Sequence, residues 1–262
     1  MMNKRNILLR LSYDGTNFCG WQRQDRADQG KPVRTVQAEL ERALEKLHHE
    51  PTPVSGSGRT DSGVHAAGQA ANFFSPVDSI PVENYISALN NLLPADIRVH
   101  QSVLVPPDFH ARFSTIARTY RYFLHYNGVP SAYEAPYVWT LRHCPDIRTL
   151  NSMASCLSGE TDCTTFAAAG DVSQSKRRYI EMAAFFPQGN RLVFEIRANA
   201  FLWKMVRSLV GTLVDFENEG RNAAFFRETL EACDRSRAGS TAPAQGLFLW
   251  YVNYEGINRG KV

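Results

Sequence analysis

The chain has 262 residues, 44% of them hydrophobic and 21% charged, which supplies a packed core and excludes general disorder. Its 29 Lys and Arg against 26 Asp and Glu leave a net charge of +3, so the molecule as a whole is not a polycation. The uncharged run 238–254 is interrupted by Pro243, Gln245 and Gly246, and residues 1–10 carry no small-residue cleavage site, so a soluble cytoplasmic protein with no membrane partner is expected.

Residues 6–13 alternate, with Ile7, Leu9, Leu11 and Tyr13 on one side and Arg10 and Ser12 on the other, the period of a half-buried strand. A turn follows at 14–17. Thr35 suits the N-cap of a helix whose Val36, Leu40, Leu44 and Leu47 form one stripe. The Gly/Ser-rich passage 55–63 feeds a strand near 68–75, and Pro81 opens a second helix lined by Val82, Ile86, Leu89 and Leu93 before Pro94 stops it. Ile97, Val99, Val103 and Val105 read as another strand. Beyond Pro106 and Pro107 come a strand at 115–126, a helix near 146–158 and strands around 177–187 and 190–197. A long helix near 199–216, a shorter one near 222–233 and a last strand near 247–254 complete the chain. The order partly repeats without a residue-level repeat, so two α+β subdomains, 1–106 and 107–262, are more economical than one continuous core. No phosphate-binding strand-loop-helix opening supports a doubly wound parallel sheet.

The stretch 55–74, SGSGRTDSGVHAAGQAANFF, carries the most chemistry. Gly58 and Gly63 have the gap of a phosphate loop, but Val64 and His65 stand where Lys and Ser or Thr are needed, and Asp61 takes the third-glycine place of a dinucleotide loop. What remains is a glycine-flanked loop presenting Arg59, Thr60, Asp61 and His65. In an extended stretch Arg59 and Asp61 share a side, so the guanidinium keeps the carboxylate ionised, and an ionised Asp serves as a nucleophile or stabilises a developing cation. A turn tied by a structural Arg–Asp pair is the alternative. Tyr120 and Tyr122 share a strand face with Arg118, with Arg121 on the other; this pattern suits base stacking beside phosphate, or simply core packing.

Phe201, Met205, Leu209 and Leu213 recur every fourth residue, widened by Leu202, Val206 and Val210. Arg207 interrupts that stripe with a charge that a carboxylate or phosphate would answer, unless it lies on a solvated face. Residues 176–207 carry seven Lys and Arg against two acids, whereas 215–235 carry six acids against three bases, so one face is expected to be basic and another acidic. His65 lacks a companion at ligand spacing and reads as a structural loop histidine. The five cysteines show no CxxC spacing, and no metal set or Ser-His-Asp arrangement assembles, so neither metal nor diffusible cofactor is expected.

Taken together, six collinear segments resemble the TruA-type tRNA pseudouridine synthases: YDGTNFCGWQRQ at 13–24, TVQAELERAL at 35–44, GRTDSGVHAAGQAANF at 58–73, FHARFSTIARTYRYF at 109–123, ANAFLWKMVRSLVGTL at 198–213 and TAPAQGLFLW at 241–250. The resemblance implies two similar α+β subdomains with antiparallel sheets joined across a central cleft, the pseudouridine synthase fold. It makes Asp61 the catalytic aspartate and Arg59 its ion-pair partner. It sets Tyr120 against the target base, Arg207 at the closure of the pocket and Leu247 on its apolar wall. It further implies a homodimer that binds tRNA and isomerises uridines at positions 38 to 40 of the anticodon stem-loop. That chemistry moves one base from nitrogen to carbon linkage on the same ribose, so it needs no redox cofactor. The chain departs from the family pattern at Ser62 for Ala, Cys163 for Phe, Ala167 for Arg, and Trp203–Lys204 for a polar or His-rich pair. The competing readings are a non-catalytic tRNA-binding or tRNA-folding module of the same fold, and an Asp-dependent glycosidase, which would need a second carboxylate that the loop does not contain.

Overall fold

The computed structural model describes residues 5–24, 27–28 and 31–257, with backbone alone at 27–28 and 31–32; residues 1–4, part of the N-terminal reading above, lie outside the described residues. In chain order the elements are β1 (Arg5–Tyr13), β2 (Ala27–Asp28), β3 (Lys31–Pro32), α1 (Val36–His48), β4 (Ser55–Gly56), β5 (His65–Ser75), α2 (Asn84–Leu92) and β6 (Ile97–Val105). There follow β7 (Thr115–His125), β8 (Trp139–Thr140), α3 (Ile147–Ala154), β9 (Gly159–Asp162), β10 (Arg177–Gln188), β11 (Arg191–Ala198), α4 (Met205–Asn218), α5 (Ala223–Glu231) and β12 (Leu247–Tyr254). The chain divides into two α+β units, Met1–Ile116 with Leu249–Val262, and Ala117–Phe248. Chain order had suggested 1–106 and 107–262. The differences are residues 107–116 and the last strand from Leu249 onward, both of which belong with the first unit: a strand's own sequence does not say which neighbour it will pair with. Among the described residues no helix is long and apolar enough to cross a membrane.

In the first unit the strands run β6-β1-β5-β12, with β4 also paired to β5. β1 is antiparallel to both β5 and β6, so Ile7 lies opposite Phe73 and Leu104. Alternation predicted a half-buried β1, yet Leu8 and Arg10 are as buried as Leu9. Arg10 tolerates burial because its Nη1 donates to the Val252 carbonyl at 2.9 Å and its guanidinium lies over the rings of Tyr251 and Tyr254. α1 starts where expected, the Ala38 N–H donating to Thr35 Oγ1 at 3.4 Å. Its buried face is Val36, Leu40, Ala43, Leu44 and His48, the histidine replacing Leu47 in the predicted stripe. His48 bridges Thr52 Oγ1 and the Tyr85 hydroxyl, both at 2.9 Å, and its ring lies 5.8 Å from that of Phe73. Helix α2 begins at Asn84 because 81–84 first make a turn, the Asn84 N–H donating to the Pro81 carbonyl.

In the second unit the order is β7-β11-β10-β9, with β8 running parallel to the end of β7. β11 is antiparallel to β7, setting Ile196 opposite Tyr120 and Phe194 opposite Tyr122. α3 packs with α4 and α5. Periodicity placed the start of the long helix near 199, but α4 begins at Met205: residues 199–204 form a turn that ends on Lys204 at φ 58. Phe201 therefore sits before the helix and puts its ring edge-on to Tyr120, 4.9 Å away. α4 is buried nearly all round, with Ser208, Gly211 and Thr212 covered as well as the apolar stripe.

Candidate active site

Asp61 opens a tight turn over 61–64, in which the Val64 N–H donates to the Asp61 carbonyl at 3.1 Å. Gly63 occupies its third position at φ 76, where a side chain would be strained. The limb leading into the turn is held from β5. Gln69, fully buried, donates Nε2 to the Gly58 carbonyl at 2.9 Å and accepts from Ser57 Oγ at 2.7 Å, while the Ser57 N–H donates to the Ala70 carbonyl. From the opposite side the 13–22 turn closes on the loop. Tyr13 and Thr60 share a hydroxyl hydrogen bond of 2.8 Å, the Trp21 N–H donates to the Thr60 carbonyl, and the Gly63 N–H and Ser62 Oγ both donate to the Phe18 carbonyl. The approach is closest at Gly15, where a Cβ would lie 2.1 Å from the Val64 carbonyl oxygen.

The Gly15 N–H donates to Nδ1 of the buried His65 at 2.9 Å, which gives that histidine the structural part read from the sequence. Each such bond contributes roughly 1 kcal/mol net, and leaving a buried partner unmade costs more, so these contacts hold the loop to one arrangement. Asp61 is half-buried at its tip. The Arg59 Nε donates to Gln22 Oε1 at 3.2 Å.

The other sequence-predicted residues belong to the second unit. Tyr120 is buried, and Arg118 beside it donates Nη1 to the Asn199 carbonyl at 3.0 Å. Tyr122 is the core residue of the pair: its hydroxyl donates to the Pro243 carbonyl at 2.8 Å, and burial raises its pKa far above the ordinary tyrosine range. Arg207, expected to seek an anion, donates Nε to the Ala242 carbonyl at 2.8 Å and accepts the Ala242 N–H on its own carbonyl. A Cβ on Gly246 would come within 2.6 Å of the Tyr122 ring. The segment 242–247 is thus seated on Tyr122 and Arg207, and it delivers Leu247, buried, at the start of β12.

The basic face read from 176–207 is largely neutralised. Arg177 pairs with Glu160, Arg191 with Glu134, Arg197 with Glu181 and Lys176 with Asp171, three of these four acids lying outside residues 176–207. Among the described residues no group of three or more His, Cys, Asp or Glu side chains is arranged to hold a metal ion.

The model of the tRNA pseudouridine synthase family matches residues 11–114 and 153–255. A Treponema denticola protein named tRNA pseudouridine synthase A is 56% identical over 252 residues, covering 96% of this chain and 94% of that protein. Proteins of the same name are 51% identical in Treponema pallidum subsp. pallidum, covering 91% of this chain and 85% of that protein, and 42% identical in Bacillus subtilis, covering 94% and 97%. The chain belongs to the tRNA pseudouridine synthase family. It is therefore an isomerase. Among solved structures, a chain of a Cbf5-Nop10-Gar1 complex shares 10% identity and a TM-score of 0.35, covering 79% of this chain and 44% of that one, a likeness too slight to bear on function.

Against the family pattern, Cys163 is fully buried and its thiol is pushed up to about 12 by burial, while Ala167 is buried beside it in sequence, so both departures fall in packed positions. Ser62 spends its extra hydroxyl on the Phe18 carbonyl. The residues that the sequence reading missed are those that hold the loop: Tyr13, Gly15, Gln22 and Gln69. Gln69 alone left a signal, as one of two amides, with Asn72, in the otherwise apolar run 66–74.

Proposed function

We propose that the protein isomerises uridine to pseudouridine at positions 38 to 40 of the tRNA anticodon stem-loop, with Asp61 as the nucleophile. The reaction conserves its atoms: the bond from ribose C1′ to uracil N1 breaks, the base turns, C1′ bonds to C5, the proton leaves C5, and N1 gains one. In this reading Asp61 attacks the nucleotide and the bond it forms is broken again before the product leaves, Arg59 and Arg207 support the charge it carries, Tyr120 takes the face of the base with its hydroxyl near the departing C5 proton, and Leu247 excludes water from the pocket. A homodimer holds the tRNA. Extruding a stem-loop base costs a few kcal/mol, which contacts to the unstacked nucleotide must offset.

The observation that carries the reading is the Asp61 loop. Bonds from Tyr13 to Thr60, from Ser62 to the Phe18 carbonyl and from Gln69 to the Gly58 carbonyl hold the segment on both sides of Asp61, which is how a reactive group is pre-organised. The test is pseudouridine mapping of a tRNA transcript treated with wild-type protein and with Asp61→Asn. The expected result is modification at 38 to 40 by the wild type and none by the variant, with binding retained by both. Wild-type protein that binds the transcript and leaves every uridine unchanged would make it a tRNA-binding module instead.

A further inference from the structure

We propose that Trp203 and Lys204 form a nucleotide-binding platform, the indole stacking on an unpaired RNA base and the ammonium taking an adjoining phosphate. The inference rests on the reading above that the substrate is tRNA. Trp203 leaves 48% of its surface exposed. Its mount is nonetheless rigid. The Trp203 N–H donates to Asp171 Oδ2 at 2.6 Å, its carbonyl accepts the Ala168 N–H at 3.0 Å, and its ring lies against Gly170, where a Cβ would come within 2.9 Å of the indole. Asp171 is held in turn by Lys176, whose ammonium pairs with its carboxylate and also donates to its backbone carbonyl at 2.8 Å, and by the Ser173 N–H at 2.9 Å. Its side chain is only 4% exposed. Burial opposes its ionisation, but the hydrogen bonds from Lys176, Trp203 and Ser173 outweigh that and keep the carboxyl well below the usual range.

Lys204 carries the second half of the argument. It is a non-glycine residue in the left-handed region at φ 58, ψ 8, and its side chain makes no capping bond to α4. Strain of that kind persists where the position of the side chain matters. The Lys204 ammonium lies 5.1 Å from the centroid of the Trp203 ring. Unlike Lys176, Arg177, Arg191 and Arg197, whose charge is answered by a carboxylate, Lys204 sits exposed beside an aromatic face, the pairing that single-stranded nucleic acid uses.

The turn that carries this pair is continuous with the residues assigned to the target base. Asn199 accepts from Arg118, Phe201 packs on Tyr120, and Arg207 follows in the first turn of α4. The platform would therefore meet a nucleotide flanking the uridine that is modified.

The test measures steady-state kinetics and direct binding of an unmodified tRNA transcript by Trp203→Ala, Trp203→Phe and Lys204→Gly. Trp203→Ala is expected to raise Kd and KM by about 5- to 100-fold, the range of one lost base–aromatic stack, with kcat changed far less and Trp203→Phe recovering part of the loss. Lys204→Gly should weaken binding and lower the log–log salt slope by about 0.7 to 0.9, one phosphate contact. Its thermal midpoint should hold or rise, because glycine suits φ 58 better than lysine does. A purely structural pair predicts the reverse, an altered midpoint with unchanged Kd and salt slope in Trp203→Phe and Lys204→Gly, and that result would overturn the proposal even if Trp203→Ala failed to fold. If the wild type forms no pseudouridine in the same assay, the catalytic reading fails separately, and the binding titrations still decide the platform.

Discussion

Two aspartates stand in two loops that are held in different ways. In the 58–64 loop the anchoring bonds described come from neutral groups, the Gln69 amide, the Tyr13 and Thr60 hydroxyls and the backbone of 15–21, with Asp61 half-buried at the tip. In the 168–176 loop the carboxylate of Asp171 is itself the anchor, nearly inaccessible and joined to Lys176, Ser173 and Trp203. A carboxylate joined to a lysine and two backbone N–H groups serves as the anchor of its own loop, whereas the Asp61 loop has further anchors in the Gln69 amide and the Tyr13 and Thr60 hydroxyls. Both loops need a glycine at one close approach, Gly15 against the Val64 carbonyl and Gly170 against the Trp203 ring.

The sharpest way to break this comparison is to remove each charge in turn. Asp61→Asn should lower turnover by roughly 10⁴-fold or more, the scale of losing a nucleophile, while thermal stability moves by less than about 0.5 kcal/mol. Appreciable pseudouridine from the purified variant would end the assignment. Next in size is Gly15→Ala, whose new methyl would collide with the Val64 carbonyl; a loss of about 1–3 kcal/mol in denaturant titration is expected, together with reduced activity because Val64 is itself the last residue of the Asp61 turn. Wild-type stability and activity in that variant would show that the frame is looser than the contacts imply.

Asp171→Asn should invert the pattern of Asp61→Asn, costing about 1–3 kcal/mol of stability with turnover at saturating RNA largely kept. The smallest effect concerns pH. Burial lowers the His48 pKa, so the unfolded chain protonates first as pH falls. The stability this neutral histidine contributes is full above about 6.5 and is lost as pH drops through that value toward the lowered folded one. His48→Gln should flatten the change of thermal midpoint between about pH 7.5 and 5 relative to the wild type; parallel curves would place the proton uptake elsewhere.

Much of this was legible in the residues. Local rules were sufficient wherever the deciding partner lay close in the chain: Thr35 capping α1, the apolar stripe of α4, Pro94 ending the second helix, and the glycine-flanked Asp61 loop all depend on neighbours a few positions away. The same locality explains why the GRTDSGVHA segment pointed to a family that comparison with known proteins then showed. Tertiary structure decided the rest, because those outcomes belong to pairs far apart in sequence. Arg10 is buried because Tyr251, Val252 and Tyr254 close over it, 241 or more positions later. Arg59 meets Gln22, 37 positions earlier. The basic run 176–207 loses most of its charge to Glu134, Glu160 and Asp171, which no count within that window includes. Periodicity registers which side of an element is apolar, but a buried charge, a neutralised surface and the start of a helix after a left-handed Lys204 depend on what the folded chain brings opposite them.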